Sequence, residues 1–368
     1  MKTTDRGKLF TTITAGIIGM ASATPVRADV ARAQPNIIVV LCDDLGFDTF
    51  YGIPYSNDMD FDGRGPDYFT EARKDPDYMP DFSHYNIPLM RDAEIIERPV
   101  DQRTLTRRCT EQAIDFIRTS RGKPFFVYLP HVMPHAPLFC SEDFRGRSRR
   151  GLYGDVVEEI DWSVGRLLTT LKELKIECNT LLMFSSDNGP WLHFDTHGGS
   201  PGPLRGGKGT TFEGGQRAPT IFWWPGRIQP GSVVSDLGCA TDLMATLAAL
   251  TGAPLPTDRK LDSLDLSPAL VGTGRSPRKS MAYWTRGELQ AFRDGPWKLH
   301  VMKRHPVEYW RVEAPAAPEL YHVEQDIAEA HNVADRHPEI VERLRQAMAA
   351  HKADIDPVPD QLAIRLTP

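Results

Sequence analysis

The chain is poor in cysteine, with five in 368 residues, has no excess of positive charge (formal charge −6 at pH 7), and contains no apolar run long enough to span a bilayer. Each shortage excludes something. Cys42, Cys109, Cys140, Cys178 and Cys239 are scattered without metal-ligand spacing, and an odd, sparse set does not make a disulfide framework. The acidic balance offers no footprint for nucleic acid or an anionic membrane. Internal repeats and low-complexity tracts are absent, so a solenoid is excluded too.

The first residues carry an export pattern. Lys2, Arg6 and Lys8 precede a modestly apolar run from Leu9 to Ala23, and Val26-Arg27-Ala28 is an A-x-A-like cleavage site. Residues 1–28 therefore read as a signal peptide, with cleavage after Ala33 as a second option. The run is too short and too rich in Thr and Gly for a membrane span, so a soluble, exported chain, periplasmic or secreted, is expected.

Two stretches carry the main chemical signal. In Pro35–Gly46, PNIIVVLCDDLG, the six residues Ile37–Cys42 are apolar and largely β-branched, the mark of a strand buried on both faces. It ends in Asp43-Asp44, and open α/β sheets place ligands at the carboxyl ends of their strands. Adjacent carboxylates repel unless a cation sits between them; the plain alternative is that one caps a helix and the other is solvated. Asn179–Gly189, NTLLMFSSDNG, repeats the arrangement with Asp187-Asn188. Four oxygen donors around one point suit a single hard cation, and Ca²⁺ is expected rather than Zn²⁺, which prefers His and Cys.

Between these stretches, Phe47–Arg98 is polar and rich in Asp, Pro and Tyr, and reads as a long surface excursion on the rim of the site. Helical spacing follows over Leu105–Thr119 and Val156–Leu174, strand patterns over Pro124–Pro130 and Thr220–Trp224, and a short helix over Asp242–Leu250 before Gly252. Strands alternating with helices imply an α/β fold with a mainly parallel central sheet covered by helices. The Pro/Gly/Ser-bearing linker Leu261–Arg278 divides an α/β domain, 29–278, from a smaller unit, 279–368. In that unit the runs Met281–Trp284, Leu289–Arg293 and Trp297–Met302 and a helix near Pro338–His351 suggest a small antiparallel sheet with one helix.

Two further residues draw notice. His135, in Pro134-His135-Ala136-Pro137, lies just past a strand end with proline on both sides, where an imidazole is aimed as a general acid or oxyanion donor requires. Lys208, in Leu204–Gly215, LRGGKGTTFEGG, sits among glycines that let a backbone approach an anion, although the spacing is not that of a P-loop. A solvated loop histidine and a flexible surface lysine are the plain readings of the two taken singly.

Taken together, PNIIVVLCDDLG, GFDTFYGIPYSND, PFFVYLPHVMPHAPL, LLMFSSDNGP, LRGGKGTTFEGGQRAPTIFWWPG and DGPWKLH resemble the sulfatases of the arylsulfatase type, in the alkaline-phosphatase-like superfamily. The resemblance implies Asp43, Asp44, Asp187 and Asn188 as ligands of one Ca²⁺, His135 as the histidine serving the leaving group or sulfate, and Lys208 as a sulfate-binding lysine. It also implies a small-molecule or glycan sulfate ester as substrate, selected by loops such as Phe47–Arg98 and Trp191–Pro203. One family feature is missing. The nucleophile is a Cys or Ser in a C/S-x-P-x-R motif, oxidised to formylglycine, and no Cys or Ser here stands two residues before a Pro-x-Arg. Ala23-Thr24-Pro25-Val26-Arg27 has the spacing, with Ala in the nucleophile position.

The family's nucleophile segment would fall between DDLG and GFDTFYGIPYSND, which are fused here through a shared Gly46-Phe47. The domain is thus expected to be truncated near 46–50 and to be inactive as written, with Ile37–Cys42 stripped of its neighbours. A non-catalytic binder of sulfated ligands, or a phosphodiesterase or phosphonate hydrolase of the same superfamily, are the alternatives.

Overall fold

Asn36–Leu41 forms strand β1 and, contrary to expectation, has a neighbour on each side. The computed structural model describes residues 34–41, 49–120, 122–285 and 287–355. The stretch read as a signal peptide, Asp43, Asp44 and Gly46-Phe47 lie outside these. After the joint, β2 (Tyr51–Gly52), β3 (Leu89–Arg91) and β4 (Glu94–Glu97) make a small antiparallel sheet, with helix α1 (Tyr68–Lys74) between β2 and β3. The excursion is therefore structured. Its strands are two to four residues long, too short to show alternation in sequence.

Helix α2 (Leu105–Thr119), strand β5 (Phe126–Pro130), helix α3 (Gly151–Glu173) and strand β6 (Thr180–Ser185) follow. Next come the short helix α4 (Glu213–Gln216), strand β7 (Thr220–Trp223) and helix α5 (Leu243–Thr251). Helix α5 ends at Gly252, whose φ of 76° is the left-handed cap that glycine adopts without strain. The sheet order is β5-β1-β6-β7: β1 runs parallel to β5 and β6, and β7 is antiparallel to β6.

Both faces of β1 are covered, which is why its sequence shows no polar alternation. Ile38 and Val40 face α2 and α3, in a cluster with Ile114, Ile117, Val164 and Leu167. Ile37 and Val39 face the other way, with Met183 and the α5 residues Leu243 and Leu247. None of the four is more than 6% exposed, and each such burial contributes about 1.5–3 kcal/mol. The strand expected to be stripped is the centre of the sheet. Its partners come from residues 126–130 and 180–184, far along the chain from the joint, so loss of a segment after Asp44 does not unpair it.

Beyond helix α6 (Ser267–Leu270), strands β8 (Ser280–Thr285), β9 (Glu288–Asp294) and β10 (Trp297–His300) precede a hairpin of β11 (Lys303–Arg304) and β12 (Val312–Glu313). Strand β13 (Glu319–His322) completes the antiparallel sheet β13-β10-β9-β8, and helix α7 (Pro338–Ala353) packs on it through Leu344 and Met348.

A buried charge cluster joins the two sheets. Lys298 Nζ on β10 lies 2.9 Å from Glu213 Oε1 on α4 and 3.2 Å from Glu329 Oε1. His300 Nε2 donates to Glu329 Oε1 at 2.8 Å, and the Glu213 N–H donates to Glu329 Oε2 at 2.6 Å. Lys298, His300 and Glu329 are fully buried. Burial opposes the charged form of Glu329, but Lys298, the His300 hydrogen bond and the Glu213 N–H outweigh it and bring its carboxyl down to about 2.

Two outcomes are expected. In native-state hydrogen exchange, the amides of residues 38–40 will be among the slowest in the molecule; exchange at the rate of the loops would contradict the central position of β1. Lys298→Met will leave two buried carboxylates short of their cation and lower the stability measured by urea unfolding by about 3–5 kcal/mol. In the parent, the contribution of Glu329 is full above its unfolded pKa of 4.5 and is lost as pH falls toward 2. An acid-side unfolding midpoint unmoved by Lys298→Met would refute this role.

Candidate active site

The carboxyl ends of β1, β5 and β6 open into a cavity of about 790 Å³ whose wall includes His135, Asp187, Asn188 and Lys208. All four described candidates from the sequence therefore meet in one place. Asp43 and Asp44, the other two expected ligands, lie outside the described residues. The pairing of Val40 with Phe184 in the parallel register sets the ends of β1 and β6 side by side, as the repeated strand-plus-carboxylate pattern implied.

His135 is oriented by a residue that sequence reading missed. Its Nδ1 lies 3.1 Å from Asn57 Oδ1. Asn57 is 1% exposed, and its amide nitrogen donates to the Pro137 carbonyl at 2.9 Å and to Gln102 Oε1 at 3.2 Å. With both amide hydrogens used, Asn57 Oδ1 can only accept, so His135 carries its proton on Nδ1 and its Nε2 is the nitrogen that can exchange a proton. Gln102 closes the chain by donating from Nε2 to the Asn57 carbonyl at 3.2 Å. The only sequence signal for Asn57 is its place in the excursion read as the site's rim.

Burial and the nearby Lys208 ammonium push the His135 imidazole below its ordinary range, opposed by Asp58, a backbone hydrogen bond at Ala136, and Asp187. Both causes favour the neutral imidazole. An anion placed beside it would reverse part of that shift.

Lys208 is set by backbone contacts that explain its glycines. Its N–H donates to the Pro190 carbonyl at 2.8 Å, and Gly189 N–H donates to the Gly215 carbonyl at 3.0 Å. A Cβ on Gly189 would lie 1.7 Å from the Gly214 carbonyl oxygen, so the Asp-Asn-Gly turn and the Phe-Glu-Gly-Gly turn interlock only as glycines. Lys208 Nζ lies 4.7 Å from the centroid of the Trp191 ring, a cation–π contact, and the His135 and Trp191 rings are 5.6 Å apart.

Asp187 and Asn188 stand at the end of β6, and the Asn188 amide nitrogen donates to Asp187 Oδ2. Toward a cation they offer oxygen donors alone. Among the described residues no cluster of three His, Cys, Asp or Glu side chains forms a metal site, so no zinc-type nitrogen or sulfur set competes with them. The floor of the cavity is different in character. Val40, Leu129, Val157 and Ile160, from β1, β5 and α3, present apolar side chains to it.

Comparison with known proteins places this arrangement. The sulfatase family model matches residues 6–253, and the model of the C-terminal region of aryl-sulfatase matches residues 276–367. N-acetylgalactosamine-6-sulfatase of Canis lupus familiaris is 40% identical over 267 residues, 69% of this chain and 48% of that protein. Arylsulfatase A of Bos taurus is 36% identical over 326 residues, 82% of this chain and 62% of its own length. The crystal structure of a sulfatase from Pseudoalteromonas sp. matches with a TM-score of 0.71 at 25% identity, covering 87% of this chain and 70% of that one. The chain spans about half the length of the N-acetylgalactosamine-6-sulfatases it matches. With one family model covering most of the α/β sheet and a second covering the C-terminal sheet, the chain belongs to the sulfatase family and has its alkaline-phosphatase-like fold.

Proposed function

We propose that this chain binds sulfate esters at the Lys208–His135 pocket and does not turn them over: a sulfuric ester hydrolase by descent, truncated where the formylglycine nucleophile belongs. The convergence of Lys208, His135, Asp187 and Asn188 on one cavity is the observation that carries the binding half. The absent C/S-x-P-x-R motif carries the other half.

In this reading Lys208 is a fixed point charge for the sulfate oxygens, held by the Pro190 carbonyl and the interlocked glycine turns. Neutral His135 presents Nε2 to the bound group and takes up a proton as the anion arrives. Asn57 holds the ring so that this nitrogen and no other faces the exchange. One Ca²⁺ would be held by Asp187 and Asn188 together with Asp43 and Asp44, and when bound it supplies positive charge to the sulfate oxygens. Positioning and charge without a nucleophile leave the difficult displacement at sulfur unaided.

Calorimetry of the full chain with methyl sulfate should show binding that Lys208→Ala weakens at least tenfold, while 4-nitrophenyl sulfate is released no faster than by the His135→Ala/Lys208→Ala double variant. Asp187→Ala should abolish Ca²⁺ binding. Multiple turnover that depends on Lys208 would overturn the proposed inactivity and require another nucleophile.

The pH dependence has a definite sign. A bound anion favours imidazolium, so the His135 pKa read from its ring proton signals will rise when sulfate is added, and sulfate affinity will rise as pH falls through that range. In Asn57→Ala the ring loses its fixed tautomer, and this coupling will shrink. A His135 titration indifferent to sulfate would remove His135 from the site.

A further inference from the structure

A second cavity, of about 180 Å³, shares Ala136, Trp191 and Phe194 with the large one and takes the rest of its wall from residues between 58 and 69, Tyr85 and Pro137. No Lys, Arg or His side chain lines it. Its charges are the carboxylates of Asp58 and Asp67, and neither belongs to the wall of the large cavity.

The polar groups of this cavity are only partly used by the fold. Tyr85 is 5% exposed and meets Phe139 edge-on at 6.1 Å. The stretch beside it is tied down by Asp62 N–H donating to the His84 carbonyl at 2.9 Å and Asn86 N–H to the Asp60 carbonyl at 3.1 Å. Yet the Tyr85 hydroxyl has no hydrogen-bond partner among the described residues, where a buried tyrosine ordinarily finds one. Burial raises its pKa, and Tyr78, Asp58 and Asp67 add to that rise, so both carboxylates act on this hydroxyl. Asp67 caps α1: its Oδ2 accepts from Thr70 N–H at 2.9 Å and from Thr70 Oγ1 at 2.7 Å, and Oδ1 is left over. Asp58 has no ion pair or hydrogen bond among the described residues.

Capping explains Asp67, but nothing in the fold explains Asp58 or the open hydroxyl. The remaining wall is aromatic. Phe61 lies 5.2 Å from Tyr85, Phe69 stacks on Phe194 at 4.3 Å, and Trp191 meets Phe194 edge-on at 4.6 Å. Such rings attract an organic cation. They offer no oxygen to a metal ion such as Ca²⁺, which takes six to eight. We propose that this cavity binds the head of a primary alkylammonium: Asp58, Asp67 Oδ1 and the Tyr85 hydroxyl are three acceptors for its three N–H donors, and the rings surround the attached carbon. The site uses neither Lys208 nor His135 and stands apart from the sulfate reading.

Ligand-detected NMR of the full chain, titrated with propylammonium chloride, tests the site. Propylammonium will bind saturably and will not be displaced by an equal concentration of KCl, and neutral 1-propanol will not compete. Asp58→Asn will weaken binding about tenfold, as will Asp67→Asn, which keeps the helix cap, and Tyr85→Phe will weaken it by a smaller factor. Asp187→Ala, in the large cavity, will leave it unchanged. Absence of saturable binding, or displacement by K⁺ or 1-propanol, overturns the proposal. Binding that survives Asp58→Asn and is lost in Asp187→Ala places the cation in the large cavity and overturns it too. Tetramethylammonium, which has no N–H, bound as tightly as propylammonium would assign recognition to the rings and refute the three-oxygen site. Asp58 is exposed, so a thermal melt unchanged by Asp58→Asn separates these outcomes from loss of the fold.

Discussion

Glu213 holds the two sheets in one structure. A carboxylate 2% exposed is costly in the α/β unit by itself, and its compensation comes from Lys298 and Arg293 on the C-terminal sheet. Its backbone N–H is likewise satisfied across the boundary, by Glu329. Glu213 lies five residues after Lys208, within the loop whose glycines interlock with the Asp187-Asn188-Gly189 turn. Lys208, the Asp187-Asn188-Gly189 turn and the C-terminal sheet are therefore positioned by one set of buried contacts. Arg205 adds to them by donating to the Glu329 carbonyl at 2.8 Å. The C-terminal sheet thus braces the loop that carries Lys208.

A related constraint governs the joint after Asp44. The partners of β1 are β5 and β6, about 90 and 140 residues away along the chain, and both lie well beyond Gly46-Phe47. The core layer of Ile38, Val40, Leu182, Ile117 and Leu167 is therefore complete.

What was legible in the sequence followed from period and from chain-local chemistry. The unalternating run in β1, the amphipathic stripe of α3 and the Gly252 cap are each written in adjacent residues, as are the carboxylate-bearing ends of the β1 and β6 stretches. The glycines around Lys208 were visible as a cluster, but their purpose was not, since the interlock of Gly189 with Gly214 exists only between loops. The edge partners of β1 were misjudged for a related reason: a strand's composition reports what covers its faces and says nothing about which strands hold its edges. Asn57 and Gln102 were not legible at all. They sit in stretches without period, and their importance comes from a hydrogen-bond chain spanning residues 57, 102, 135 and 137.

That chain bears on what the pocket can still do. Orienting a histidine with a buried amide is worthwhile only if the nitrogen left over has a task, because a buried Asn must satisfy every polar atom or destabilise the fold. Here the amide is fully satisfied, and the arrangement leaves His135 Nε2 as the group that can answer a bound anion. His135 and Lys208 thus share the wall of one cavity while each is fixed by contacts made outside it, the amide chain of Asn57 and Gln102 for the one and the interlocked glycine turns for the other.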